Sequence, residues 1–187
     1  MKKISIIYLA SLFFTFSSFA QTTVPAIDKS PMDMATYPAN YGVLKIQDKA
    51  TEPLAPRIIY SRPLKNNRVI FGQLVEYNKV WRFGANENTE IEFYNDVTIN
   101  NTKVKKGRYS IYAIPTTVKW TIVINKDLNS WGAYKYEQGK DVLRVDVPVQ
   151  ITTENAEAFY IYFDKAKSGF NLNAGWDNVK VSLPISM

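Results

Sequence analysis

Arginine is the residue whose placement in this chain most invites a chemical interpretation. Lysine is spread along the sequence, whereas every arginine lies between positions 57 and 144: Arg57, Arg62, Arg68, Arg82, Arg108 and Arg144. The planar guanidinium binds carboxylates and phosphates through paired hydrogen bonds and also stacks on aromatic rings. The cluster predicts either a pocket for an anionic ligand or a set of ion pairs with Glu76, Glu90, Glu92 or Asp141. The second interpretation requires no ligand.

Two glutamates offer a different chemistry. Glu90 and Glu92 are two residues apart in an alternating run, so both side chains project from the same face of a strand. A pair of carboxylates can act as acid and base in glycoside chemistry. The same spacing equally suits an exposed ladder of salt bridges across neighbouring strands.

A long polar segment that carries aromatic residues runs from Asn125 to Asp141. Trp131, Tyr134 and Tyr136 lie there outside any alternating run. Exposed aromatic rings on a loop stack on sugar rings or on a partner protein. The alternative is that Trp131 folds back and covers an open end of the fold.

Two residue types are missing altogether. The 187-residue chain has no cysteine and no histidine. This excludes disulfides, thiolate and imidazole metal ligands, and every nucleophilic mechanism that needs a cysteine or a histidine base. We therefore predict no metal, no cofactor and no catalytic residue. A net charge of +6 without a dense basic run predicts no nucleic-acid partner.

The N-terminus has the three parts of a secretory signal peptide. Met1, Lys2 and Lys3 form the basic start, residues 4–16 are apolar, and residues 17–20 end in a small-residue cleavage pattern. We predict cleavage between Ala20 and Gln21, release into the periplasm or the medium, and no membrane span in the mature protein.

Positioning these residues requires strands rather than helices. Apolar and polar residues alternate over residues 89–94, 120–125, 159–163 and 179–185, separated by turn-forming clusters. A period of two places each apolar set on one face of a sheet. Asn100 and Asn101 lie between two short runs and favour a tight hairpin. The predicted fold class is all-β, an antiparallel β-sandwich of the jelly-roll or barrel type.

The domain prediction follows from the distribution of proline. Residues 1–20 are the leader, residues 21–56 form a proline-rich N-terminal arm with one strand over residues 42–47, and residues 57–187 form the sandwich. Residues 21–187 are expected to be one structural unit.

Several motifs together resemble a known bacterial family. In chain order they are YSRP (60–63), NRVIFG (67–72), VWRFGANENTEIEF (80–93), GRYSIYAIP (107–115), WTIVINK (120–126), WGAYKY (131–136) and DVLRV (141–145). Their order is similar to that of the uncharacterised family catalogued as domain of unknown function 2911, over about residues 30 to 186. The resemblance implies an exported, β-rich domain with no established activity, and it singles out Arg62, Arg82, Asn86 and Trp131.

The chain departs from this family pattern at four positions. Asn67 replaces a glycine, Phe83 replaces a threonine, and Glu76 and Asn78 replace a proline and a glycine. Where these positions line a pocket, its shape and charge differ from those of other members.

The function expected from these features is a non-catalytic binding module of the cell envelope. Its partner is a small anionic ligand, a glycan or an envelope protein, and the candidate binding residues are Arg62, Arg68, Arg82, Asn86, Trp131 and Tyr134. One alternative is a carboxylate-dependent hydrolase or lyase using Glu90 and Glu92. The other is a structural or assembly component of the envelope.

Overall fold

The computed structural model of the protein describes residues 24–187. The predicted leader and its cleavage after Ala20 lie outside the described residues. Within the described part of the chain, no helix has both the length and the apolar character needed to cross a membrane.

Ten strands and two short helical segments make up the described chain. In order they are β1 (Met32–Thr36), α1 (Tyr41–Ile46), β2 (Pro56–Ser61), β3 (Thr89–Phe93), β4 (Val97–Ile99), β5 (Thr102–Val104), β6 (Gly107–Pro115), β7 (Lys119–Asn125), a 3-10 turn (Gln138–Lys140), β8 (Asp141–Pro148), β9 (Gln150–Ala166) and β10 (Gly169–Ser186).

The strands form two antiparallel sheets. The first has six strands in the order β1-β2-β3-β6-β7-β8, and the second has four in the order β5-β4-β10-β9. The apolar faces of the two sheets together build one core. The predicted all-β sandwich is confirmed. Pro148 ends β8, which lies at the edge of the six-stranded sheet. Proline has no N–H to donate, but at this edge position no hydrogen bond between strands is lost.

The core is centred on a cluster of aromatic rings between the sheets. The predicted alternation directs Trp120 from β7 and Phe159 from β9 inward, and both are fully buried. Trp81 lies among them, with its ring centroid 5.7 Å from that of Trp120 and 5.1 Å from that of Phe159. Aromatic rings bury large apolar areas, so this cluster contributes substantially to the packing of the core.

The strand predicted over residues 42–47 is wrong. Residues Tyr41–Ile46 form α1, in which the amides of Val43 and Leu44 donate to the Asn40 carbonyl at 2.9 and 3.1 Å. Apolar residues at positions 43, 44 and 46 fit a helical turn as well as a strand. The strand of this region is instead β1, which pairs along its length with β2.

Two long connections carry the features that sequence analysis singled out. Residues 62–88 join β2 to β3, and residues 126–140 join β7 to β8. The first connection is attached to the sheets by isolated bridges, Leu64 to Ala158 and Trp81 to Ala113. The two connections meet at the outer surface of the six-stranded sheet.

The hairpin predicted at Asn100 and Asn101 is confirmed, since both residues have positive φ (46° and 62°) between β4 and β5. Asp96 joins the two ends of this hairpin. Its carboxylate accepts the Lys106 amide at 2.9 Å and pairs with Lys105 and Lys103. These bonds, the Lys106 amide first, lower the pKa of Asp96 from 3.8 to about 2.

This lowered pKa predicts a pH-dependent stability difference for Asp96→Asn. A carboxyl with a lowered folded pKa stabilises the fold above its unfolded value of 3.8, and this contribution is lost as the pH falls through about 2. We therefore expect the variant to be less stable than wild type at pH 7, with a difference that narrows below pH 4 and vanishes below pH 2. Urea unfolding across this range measures the difference.

Asp48→Asn is the control, because Asp48 has no ion pair among residues 24–187. If the stability difference between wild type and Asp96→Asn were the same at pH 2 as at pH 7, the ionised Asp96 would not be its cause.

Candidate functional site

Two segments of the long connections lie side by side and bring four predicted site residues together. The Asn88 amide donates to the Ser130 carbonyl at 3.0 Å, and the Gly132 amide donates to the Asn86 carbonyl at 3.0 Å. Between these bonds, Glu87 and Trp131 form an isolated antiparallel bridge. The segment with Arg82 and Asn86 therefore lies beside the segment with Trp131 and Tyr134, which is far from it in sequence. Trp131 lines one cavity of this region, and Arg82 and Tyr134 line another.

Arg82 is held at the junction of the two segments. Its Nη1 donates to the Asn86 carbonyl at 3.3 Å, and its Cζ lies 6.0 Å from the centre of the Tyr134 ring. Gly132 makes this arrangement possible. A Cβ there would lie 2.8 Å from the Tyr134 ring and 3.1 Å from Arg82 Nη1, and the φ of 68° is itself unfavourable for other residues.

The segment that carries Arg82 is rigid and locally strained. Phe83 is fully buried with φ at 55°, a conformation that a bulky side chain rarely adopts. Its carbonyl accepts Thr89 Oγ1 at 2.6 Å, and the following Gly84 carbonyl accepts Trp81 Nε1 at 3.0 Å. Such strain persists only when the surroundings enforce it, and it is concentrated at functional sites.

The opposing segment is equally well anchored. Asp127 accepts Ser130 Oγ at 3.0 Å and Lys140 Nζ at 2.8 Å, and these bonds, Lys140 first, lower the pKa of Asp127. Farther along, the Tyr136 ring packs edge-on against Tyr112 of β6 at 5.1 Å. The loop that presents Trp131 is thereby fixed on the sheet, so binding there would cost little ordering entropy.

Trp131 forms one wall of an open cleft of about 460 Å³. Its side chain does not cover an end of the sandwich, because 58% of the residue is exposed. Outward-facing Met32 and Ile59, from β1 and β2, add an apolar surface, and Glu87, Asn88, Glu90, Asn129 and Ser130 supply the polar side of the cleft. This volume falls in the range of small-ligand sites, about 300–1,000 Å³.

Asn88 is the least expected residue of this cleft. It is only 5% exposed, and its Nδ2 donates to the Tyr112 hydroxyl while its Oδ1 has no hydrogen-bond partner among the described residues. Turning the amide around would only exchange which of its two polar atoms is unpaired. A buried polar atom without a partner is costly. Because the Asn88 Oδ1 is closed off from solvent, this cost belongs to the packing behind the cleft wall and not to a contact with a ligand.

The charge of the cleft is acidic. Glu87 is exposed and forms no ion pair with any residue in 24–187, whereas Glu90 accepts the Asn129 amide at 2.8 Å and pairs with Arg108 at 3.5 Å. The cleft therefore presents hydrogen-bond acceptors beside an aromatic surface.

Glu90 and Glu92 are members of a cross-strand ladder on the outer face of the six-stranded sheet. Arg57 pairs with Glu92 at 2.6 Å, and Arg108 pairs with Glu90. Burial alone would raise the pKa of Glu92, but hydrogen bonds from Tyr94 and Arg57 outweigh it and lower the pKa below its ordinary value. The cavity between the two glutamates measures about 70 Å³, which admits water but not a sugar ring.

The structure places the other two predicted binding residues elsewhere. Arg62 pairs with Asp33 at 3.0 Å and donates through Nε to the Phe159 carbonyl at 3.1 Å. Arg68 donates to the Lys65 carbonyl at 3.0 Å and to the Leu64 carbonyl. Both arginines fasten the start of the 62–88 connection.

The sequence did not predict that Met32, Ile59 and Asn88 line the cleft. Met32 and Ile59 lie on two different strands, and neither strand's sequence shows that the two strands pair. Both are ordinary apolar residues, so their types do not indicate a binding site. Asn88 carried one usable signal, since it is a polar residue directly before a buried strand, in the unusual run Asn86-Glu87-Asn88. Among the described residues, no group of three or more acidic side chains could hold a metal ion.

Comparison with known proteins adds one relationship. The model of a family described as "Protein of unknown function (DUF2911)" matches residues 45–185. This range includes the 62–88 and 126–140 connections, but not β1 and its Met32. The chain matches no curated protein and no solved structure.

Proposed function

Since the chain belongs to the DUF2911 family, whose description names no activity, we propose a function from the site itself: it is a non-catalytic carbohydrate-binding module. The ligand is a glycan without a negative charge, and one of its sugar rings stacks on Trp131. Its hydroxyl groups donate to Glu87.

The observation that carries this proposal is an exposed indole beside a carboxylate with no partner among the described residues, both in one cleft. A sugar ring has a face of C–H groups, which packs on an aromatic surface, and an edge of hydroxyl groups, which needs acceptors. Trp131 supplies the first, and the exposed Glu87 carboxylate supplies the second. Both components are held by a fixed backbone, as a binding site requires.

The charge distribution favours an uncharged glycan over an anion in this cleft. Glu87 and Glu90 both line it, and like charges brought together there would repel. The contacts of Glu92 support a binding role rather than hydrolysis. Its carboxylate is ion-paired and its pKa is lowered, whereas a general acid needs a raised pKa.

The predicted leader agrees with this role. An exported protein meets the polysaccharides of the cell envelope and of the surroundings, so periplasmic or secreted localisation belongs to the same proposal. The envelope-protein partner and the assembly role are the competing proposals.

The proposal is tested by titrating the mature protein with a panel of uncharged soluble oligosaccharides in a calorimeter. We expect saturable binding of at least one, quenching of Trp131 fluorescence on addition of that sugar, and no release of reducing ends on prolonged incubation. Released reducing ends would establish hydrolysis instead. A panel that produces neither heat nor quenching would reject the glycan.

Glu87→Ala is expected to weaken binding of that sugar by about 5- to 30-fold. Losing a hydrogen bond to the ligand costs about 1–2 kcal/mol, which corresponds to this range at room temperature. The stability of the fold should hardly change, because Glu87 is exposed and its carboxylate has no partner among the described residues. Calorimetric Kd values and urea unfolding measure the two effects.

Glu154→Ala is the matched control. Glu154 is an exposed glutamate of β9, and it does not line the cleft. Its substitution should leave the Kd unchanged. Equal Kd values for Glu87→Ala and the control would show that the carboxylate does not contact the sugar.

A further inference from the structure

Arg82 is the one arginine among the described residues that is partly buried and has no acidic partner. Four of the six form ion pairs, namely Arg57 with Glu92, Arg62 with Asp33, Arg108 with Glu90 and Arg144 with Asp141. Arg68 is exposed and bonds to two backbone carbonyls. Arg82 is half-buried and forms no ion pair with any acid in residues 24–187.

The backbone around Arg82 is shaped to hold its guanidinium in place. The Asn86 carbonyl accepts one N–H, the Tyr134 ring lies against the cation, and Gly132 leaves the space that Nη1 occupies. A guanidinium carries five N–H donors. Most of them are therefore still available on a cation whose position is already fixed.

Arg82 faces a second cavity, separate from the Trp131 cleft. This cavity measures about 290 Å³, and its lining includes Glu76, Lys79, Val80, Arg82 and Tyr134. Lys79 adds a second cation without an acidic partner among the described residues. Glu76 is the single acid of the lining, and it pairs with neither cation. Apolar side chains and the Tyr134 ring complete the walls.

We propose that this second cavity binds a small organic acid, with its carboxylate on Arg82 and Lys79 and its compact apolar body against Val80 and the Tyr134 ring. A guanidinium binds a carboxylate through two parallel N–H bonds, and a neighbouring ammonium reinforces it. A half-buried cation without a counter-ion gains from such a ligand, because the ligand supplies the missing charge. This site is independent of the glycan cleft.

Benzoate is a suitable probe, and benzamide is its uncharged counterpart of the same shape. We expect benzoate to shift the NMR signals of Arg82 Nε–H and of the Lys79 and Tyr134 amides in a saturable manner. Benzamide should leave them nearly unchanged. Raising the salt concentration should weaken the binding of benzoate, as it does for exposed charge pairs.

Substitution of single cations shows whether benzoate binds in this cavity or to positive charge anywhere on the surface. Arg82→Gln should weaken benzoate binding at least tenfold, and Lys79→Gln by a smaller factor. Lys79 is exposed and its side chain makes no hydrogen bond with any described residue, so Lys79→Gln still reports if Arg82→Gln fails to fold. Arg68→Gln is the matched control and should bind as wild type, since Arg68 also bonds only to backbone carbonyls.

Three outcomes would overturn the proposal. One is equal shifts with benzoate and benzamide, which would mean that the charge is not recognised. The second is unchanged affinity in both Arg82→Gln and Lys79→Gln. The third is benzoate-induced shifts confined to residues outside this cavity.

Discussion

Replacing Trp131 by alanine should abolish most of the sugar binding and leave the fold intact. Aromatic side chains at the centre of a binding site contribute about 2 kcal/mol or more, which corresponds to at least a 30-fold rise in Kd. The free energy of unfolding should hardly change, because more than half of the residue is exposed and its backbone bridge to Glu87 does not use the side chain. Calorimetry and urea unfolding of the same preparation measure both quantities.

Two further variants show whether the effect belongs to the indole itself. Trp131→Phe keeps a ring in the cleft and should recover a large part of the affinity. Tyr134→Ala removes an aromatic side chain that is even more exposed but lines the second cavity instead, so sugar binding should stay near wild type. Equal losses in Trp131→Ala and Tyr134→Ala would mean that the sugar does not bind in the cleft defined by Trp131.

Trp81→Ala should destabilise the fold strongly, by about 3–5 kcal/mol for the cavity that it leaves. The Trp81 ring contacts Phe83, Trp120 and Phe159, with centroid distances of 5.1 to 5.7 Å. Its Nε1 also donates to the Gly84 carbonyl, which would lose its partner. Since a domain is stable by only about 5–15 kcal/mol, urea unfolding should show a much lower midpoint.

The control for Trp81 separates ring packing from the hydrogen bond. Trp81→Phe keeps an aromatic ring in the cluster but cannot donate to Gly84, so its loss should be clearly smaller than that of the alanine variant. A loss below about 1 kcal/mol for Trp81→Ala would contradict the central place of this cluster, since that is the size expected of an average substitution.

The sequence predicts the fold wherever apolar residues alternate with polar ones, because a two-residue spacing decides which side chains lie on the buried face of a strand. The alternation of Ile91 and Phe93, or of Trp120 and Ile122, requires strands with one buried face, and both pairs are buried in the sandwich. The tendency of asparagine to adopt positive φ predicted the turn at Asn100 and Asn101. The prediction was wrong over residues 42–47. This short apolar run forms α1, and none of the α1 residues is buried.

The candidate site was predictable in its residue types but not in its grouping. Arg82, Asn86, Trp131 and Tyr134 were singled out by type and motif, and two segments distant in sequence bring them together. Arg62 and Arg68 have the same side chain as Arg82, yet they fasten a loop. The difference lies in which carbonyl or acid is near, and sequence spacing does not contain that information.

The sequence by itself determined that this is a β-sandwich without thiol or imidazole chemistry, because side-chain period and residue inventory are local properties. Only the tertiary structure decided which charges are paired. Ion pairing depends on distances across strands and loops, so Glu90 and Glu92 became members of a ladder while Arg82 was left without an acid among the described residues. The same long-range packing left Trp131 exposed in one cleft with the Glu87 carboxylate, and these two side chains are the basis for the proposed binding function.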